Sequence, residues 1–335
     1  TGNNAGKVGG LLFEAFNNLT GGSSTDSFIF SATGVLTGVI DGRGGNDSIN
    51  YAAISTALSV NIADILSIET LVGNGHADSV LTGNDNNNLW LITGADTGQV
   101  AGVDFSGFSN LVAGTGNDTF RFSDNSGISG NITAGDGTDT VDYSLRTDAF
   151  ILNLASDVFN GVLEAEVIRG NNLSTLVGDN TDNTWSITGN NAGTIGTLIF
   201  EAFSNLTGGN LVDSFIFGES GLLSGVINGM AGNDTINYAA INSTVTANLV
   251  DILNIESLVG NNSNSILVGQ DITNIWTING VNAGLVNGIN FSGFTDLTGG
   301  SGDDSFRFTV DGSIVNRIDA GAGTDTVDYS LQASV

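Results

Sequence analysis

The chain has 335 residues with 49 glycines, no proline and no cysteine, and 7 Lys+Arg against 35 Asp+Glu give it a formal net charge of -28. That charge excludes polyanionic partners, so neither nucleic acid nor an anionic membrane surface is expected to bind it. The absence of cysteine excludes disulfide staples and thiolate metal sites, whereas 40% hydrophobic residues are too many for a disordered acidic tail and predict a buried core.

In chain order, the first recurring element is F-x-x-F followed by D-S/T-F-x-F, at Phe13/Phe16/Phe28/Phe30. It returns at Phe105/Phe108/Phe120/Phe122, Phe200/Phe203/Phe215/Phe217 and Phe291/Phe294/Phe306/Phe308, so the first members stand 92, 95 and 91 residues apart. Tyr51, Tyr143, Tyr238 and Tyr329 keep the same intervals. A chain that places its large aromatics this way is a repeat protein. With the tryptophans as openers, the units are 1–89 (repeat one, incomplete at its start), 90–184 (repeat two), 185–275 (repeat three) and 276–335 (repeat four, truncated), expected to form one continuous solenoid. Alternate units are most alike. Repeats one and three share F-E-A-F and I-N-Y-A-A, and repeats two and four share F-S-G-F and G-T-D-T-V-D-Y-S-L.

A second echo lies inside each unit. Asp26 and Asp47, Asp118 and Asp139, Asp213 and Asp234, and Asp304 and Asp325 are each 21 residues apart, and D-S/T-F-x-F is answered by D-S/T-I/V-N/D-Y at that offset. A fixed spacing inside a repeat of variable length is what one coil of a solenoid produces. The segments between the glycines alternate apolar and polar residues, as in Thr119–Phe122, Thr140–Tyr143, Leu58–Ile62 and Trp185–Thr188, the period-two signal of strands. Thr-Gly-Gly, Gly-Asn-Asp and Asn-Asn punctuate them with turn residues. The predicted fold is all-β, a parallel β-solenoid (β-helix or β-roll) of about 17 coils, about five to a repeat, stacked at about 4.8 Å. The alternative is a string of tandem immunoglobulin-like β-sandwiches, since one repeat is also the size of such a module.

The chain contains no apolar run long enough for a membrane span, and Thr1 opens no basic-then-apolar leader. Thr1–Gly6 aligns with Thr188–Gly193, and the chain stops at Val335 in mid-repeat. The expectation is a window from a longer polypeptide, or a subunit whose ends neighbours cover.

Gly299-Gly300-Ser301-Gly302-Asp303-Asp304-Ser305-Phe306-Arg307 matches the calcium-binding nonapeptide G-G-x-G-x-D-x-U-x. Ala113–Asp118, Ala134–Asp139 and Ala320–Asp325 match it in part. These segments resemble RTX proteins, and the resemblance implies Ca²⁺ held between coils by aspartates and turn carbonyls. Asp118, Asp136, Asp139, Asp303, Asp304 and Asp325 are the corresponding metal candidates. RTX repeats run in uninterrupted tandem, whereas here the motif stands singly at 21-residue spacing, with Ser24 and Leu211 in place of a glycine. The other reading is that these aspartates cap turns by accepting from backbone N–H groups. Both stay open on the sequence.

The Phe, Tyr and Trp columns read as core first and as sugar-stacking platforms second. Asn86-Asn87-Asn88 and similar turns are expected to stack their side-chain amides. The single histidine, His76, and the single lysine, Lys7, sit beside no recurring nucleophile, so no enzyme is expected, and a solenoid polysaccharide-active enzyme is a remote alternative resting on fold analogy.

The wording T-G-N-N-A-G, N-L-T-G-G and G-T-D-T-V-D-Y resembles the β-strand repeats of giant secreted bacterial surface proteins, the RTX-like and filamentous-haemagglutinin-like adhesins. The resemblance implies an extracellular or bacterial cell-surface stalk, fibre or matrix protein. It further implies self-association into a fibre or array and a glycan or other cell-surface target. A calcium-responsive RTX-type module is the alternative function.

Overall fold

The computed structural model describes residues 3–155 and 162–332, so the expectations attached to Thr1, Gly2 and Val335 lie outside the described residues. The chain divides into two compact units, Thr1–Asp148 with Asp157–Asn171, and Ala149–Ser156 with Asn172–Val335. Each is an all-β parallel solenoid, and no α-helix occurs among the described residues.

The 21-residue echo is a strand register. Phe28 pairs with Ile49 and Phe120 with Val141 in unit 1, and Phe215 with Ile236 and Phe306 with Val327 in unit 2, all in parallel. Parallel pairing of equivalent residues one coil apart rules out tandem sandwiches, whose neighbouring strands run antiparallel. Within each strand the alternation predicted from sequence sets the burial, as in Ser214–Phe217, where Phe215 and Phe217 point inward. The inward side chains form columns. Phe122 stacks on Tyr143 at 5.3 Å in unit 1, and Phe308 on Tyr329 at 4.6 Å in unit 2. At the outermost strands the column opens, leaving Tyr329 exposed and Phe28 half-buried.

One feature departs from a purely parallel coil. Each tryptophan strand is the first of three antiparallel strands in the front sheet: Leu89–Gly94, Thr97–Val100 and Val103–Ser106 in unit 1, and in unit 2 both Thr184–Gly189, Ala192–Ile195 and Leu198–Glu201 and Ile275–Gly280, Ala283–Val286 and Ile289–Ser292. The chain turns back on itself twice, and the outer strands of this meander then pair in parallel with their coil neighbours. Front-strand order in repeat three is therefore Leu198–Glu201, Ala192–Ile195, Thr184–Gly189, Ser214–Phe217, Thr235–Asn237 and Ser257–Val259. The meander absorbs chain length that the sequence reading assigned to an additional coil.

Close approach in the meander needs glycine in its middle strand. A Cβ at Gly193 would run into the Ser186 carbonyl, and one at Gly284 into the Thr277 carbonyl and the Phe291 ring. The first turn places Asn191, Asp96 and Asn282 in the left-handed region at φ 53, 49 and 54°, where a short polar residue is tolerated best. Each then pins a turn about one coil on. Asp96 Oδ1 accepts the Ser129 N–H at 2.6 Å, Asn191 Oδ1 the Ser224 N–H at 2.9 Å, and Asn282 Oδ1 the Val315 N–H at 2.8 Å.

The return strands behave differently from the front sheet. In unit 1, Leu19–Thr20, Ile40–Asp41 and Ile65–Leu66 form one stack, and Ser59–Asn61, Val80–Thr82, Asn110–Gly114, Ile132–Gly135 and Val162–Leu163 form the next. The change of stack occurs within a single coil, across the short 3-10 turn Ile62–Asp64. Unit 2 repeats this: Val245–Asn248 begins one stack, the 3-10 turn Leu249–Asp251 follows, and Ile252–Leu253 ends the other.

Candidate functional site

The recurring aspartates stand where the chain leaves a turn and enters a front strand, and the coil register stacks them. In unit 2 the Asn183 N–H donates to Asp213 Oδ1 at 3.0 Å, the Asp213 N–H to Asp234 Oδ1 at 2.7 Å, and the Asp234 N–H to Glu256 Oε2 at 2.7 Å. Unit 1 builds the same column from Asn88, Asp118, Asp139 and Glu166, with links of 2.6, 2.7 and 2.8 Å. A third column runs from Asn274 at the end of repeat three to Asp304 and Asp325 of repeat four, with links of 2.7 and 2.9 Å. The side chain of each coil thus caps the backbone of the coil before it. The leading asparagine secures its own turn as well: Asn88 Nδ2 donates to the carbonyls of Asn84 and Asn86 at 2.9 and 2.7 Å. Asn88 thus spends its amide on its own turn, whereas in the corresponding turn of unit 2 Asn210 Nδ2 donates to Asn180 Oδ1 of the coil before at 2.9 Å.

Asp118, Asp139, Asp213, Asp234 and Asp304 are buried. A buried carboxylate is costly unless hydrogen bonds replace its water, and charge-assisted bonds from backbone N–H groups are strong ones. The replacement is one-sided. Asp213 Oδ2 also accepts the Gly209 N–H at 2.6 Å, but Oδ2 of Asp118, Asp139, Asp234 and Asp304 is buried without a hydrogen-bond partner. In Asp234 and Asp304 that oxygen lies against the α-carbon of Gly229 and Gly299, where a Cβ would collide with it. Burial accordingly pushes the carboxyl groups of Asp118, Asp139 and Asp234 above the ordinary range, against the hydrogen bonds that pull them down.

Of the six metal candidates, the fold therefore brings Asp118 next to Asp139 and Asp304 next to Asp325 in successive coils. Asp136 and Asp303 are exposed on the turns, and Asp303 Oδ1 accepts the Thr324 N–H at 2.7 Å. In each pair one carboxylate oxygen accepts the backbone N–H of the coil before it, which is the geometry of a turn cap. Among the described residues, no group of three or more His, Asp or Glu side chains gathers in one place. Compared with known proteins, the chain matches no family model, no curated protein and no solved structure.

The aromatic columns are core. Trp90, Trp185 and Trp276 are fully buried and stack on Phe120, Phe215 and Phe306 at 5.8, 5.6 and 5.4 Å. On the outer side of the unit 1 front sheet, Asp142 is fully buried beneath Arg121 and Arg169, at 2.7 and 3.4 Å. Burial pushes its carboxyl up, but hydrogen bonds from Ser144 and Arg121 and the Arg121 charge outweigh it and hold the group below the usual range.

Proposed function

We propose that this chain is a structural repeat segment of an extracellular stalk, fibre or surface matrix, with length as its product. The observation that supports this reading most directly is that the aromatic rings and turn aspartates recurring in every repeat make coil-on-coil contacts. The aromatics fill the interior columns, and the aspartates cap neighbouring coils. A repeat kept for a surface site would spend its recurring residues outward. The acidic, cysteine-free composition and the adhesin-like wording support the extracellular setting.

The test is to duplicate residues 90–275 in the chain and measure particle length by electron microscopy or small-angle scattering. Repeat three contributes six front strands, so two added repeats lengthen a rod by about 60 Å at about 4.8 Å per strand. An unchanged longest dimension would sink the proposal. Thermal melting with and without EGTA separates the calcium-responsive alternative: a midpoint that falls with EGTA would move the reading to that module.

A further inference from the structure

The change of stack in the return strands leaves a cleft at the edge of the aromatic column. In unit 2 it has a volume of about 490 Å³ and lies between the loop after Phe217 and the segment running from Val245 through the 3-10 turn to Ile252. Unit 1 has a smaller cleft of about 90 Å³ at the corresponding place, lined by residues that include Thr37, Tyr51, Asn61 and Asp64. Every residue lining the smaller cleft has its counterpart, 187 positions on, in the wall of the larger, where those four become Ser224, Tyr238, Asn248 and Asp251. The same polar set is thus built twice, each time beside a 3-10 turn across which the return strands change stack.

Tyr238 is only 9% exposed, and its hydroxyl has no hydrogen-bond partner among the described residues although it lines the cleft. Burial, and then the Asp251 carboxylate, push the phenol well above its ordinary value, so it remains a donor at every physiological pH. In unit 1, burial pushes Tyr51 up to about 12. Asp251 is half-buried beside Asn248, whose Nδ2 approaches Asp251 Oδ2 at 3.4 Å, and Thr244 and Thr246 add hydroxyls to the wall.

A phenol donor, a carboxylate acceptor, an amide that both donates and accepts, and flanking hydroxyls match a ligand whose adjacent hydroxyl groups also do both. The acidic chain disfavours an anion, and one carboxylate with one amide falls short of the six to eight oxygens calcium takes. A cleft of about 490 Å³ lies within the range of small-ligand sites. We propose that the cleft in repeat three binds a neutral carbohydrate, one or two sugar units presenting vicinal hydroxyls to Tyr238, Asn248 and Asp251, with a reduced copy in repeat one.

The test is isothermal titration of the intact chain with glucose, galactose, mannose and lactose, and separately with calcium chloride. Saturable binding of at least one sugar is expected. Tyr238→Phe and Asp251→Asn should each weaken it about tenfold, the loss expected for a hydrogen bond to or beside a charged group. Because the Tyr238 hydroxyl has no internal partner, Tyr238→Phe should melt as the parent does, which separates loss of binding from loss of fold. The proposal is overturned if none of these sugars binds, if binding is the same in both variants, or if calcium alone binds and Asp251→Asn abolishes it. Its failure leaves the structural reading standing, because the length measurement does not depend on the cleft.

Discussion

Two buried columns run side by side through unit 2, two residues apart in the sequence and opposite in chemistry. One is apolar, with Trp185, Phe215, Ile236 and Leu258 in parallel register. The other is polar, with Asn183, Asp213, Asp234 and Glu256 linked by backbone N–H groups. The apolar column is held by area and contact, which have no direction, so Trp, Phe, Ile and Leu exchange along it. The polar column is held by donors that must meet acceptors, so it keeps an order of Asn, Asp, Asp and Glu, which unit 1 reproduces in Asn88, Asp118, Asp139 and Glu166. Volume is thus what breaks the first column, and loss of a single acceptor is what breaks the second.

The largest effect should come from volume. Trp185 is fully buried, stacked on Phe215 and edge-on to Phe200 at 5.8 Å, so Trp185→Ala should cost about 3–5 kcal/mol in chemical denaturation. A loss below about 1 kcal/mol would mean that neighbouring coils collapse into the gap. Next comes Asp213→Ala, which orphans the Asn183 and Gly209 N–H groups. Each buried donor left unpaired costs about 1–3 kcal/mol. Hydrogen exchange should localise the damage to those two amides, and uniform loss of protection across the unit would argue against the directional account.

A smaller effect is expected at the meander tip. Asn191 holds a left-handed backbone and bonds Ser224 through both its Oδ1 and its Nδ2. Asn191→Gly loses the bonds but keeps the backbone at ease, whereas Asn191→Ala loses the bonds and adds left-handed strain of about 1–2 kcal/mol. Equal melting of the two variants would show that the pin matters and the turn conformation does not.

The two columns were unequally legible in the sequence. The apolar one was read correctly because aromatics are scarce and conspicuous, so the 21-residue offset between Phe215 and Ile236 gave the register directly. The aspartates showed the same offset, but their partners are backbone N–H groups, which no side-chain pattern reveals. Both turn caps and cation ligands therefore stay open on the sequence, and the structure adds the caps, as bonds from the backbone N–H of one coil to the carboxylate of the next. The end members, Asn183 and Glu256, sit 30 and 22 residues from their neighbours, outside the 21-residue period. The meander does carry a local sequence signal. Asn287-Gly288 lies between Ala283–Val286 and Ile289–Ser292 with both φ positive, at 49 and 93°, which is the Asn-Gly hairpin turn. A long-range parallel period obscured that local antiparallel cue.

The least effect, and the most discriminating one, is in pH. Asp234 has its carboxyl raised by burial, with Asp213 and Glu256 facing it from the adjacent coils. A raised group contributes its stability fully below the unfolded carboxylate value of about 3.9, and that contribution is lost as pH rises through the folded value. Asp234→Asn has no charge to bury, so its stability relative to the parent should improve from pH 3.5 to pH 7. Asp142 is the opposite case, lowered because the bonds from Ser144 and Arg121 outweigh burial. Its contribution is present above about 3.9 and lost as pH falls through the folded value, so Asp142→Asn should cost most at pH 7 and progressively less in acid. Denaturation midpoints of both variants at the two pH values should therefore diverge in opposite directions. Parallel shifts would mean that the inward carboxylates of the column are ionised as freely as the arginine-paired one, and that their unpartnered oxygens carry no penalty.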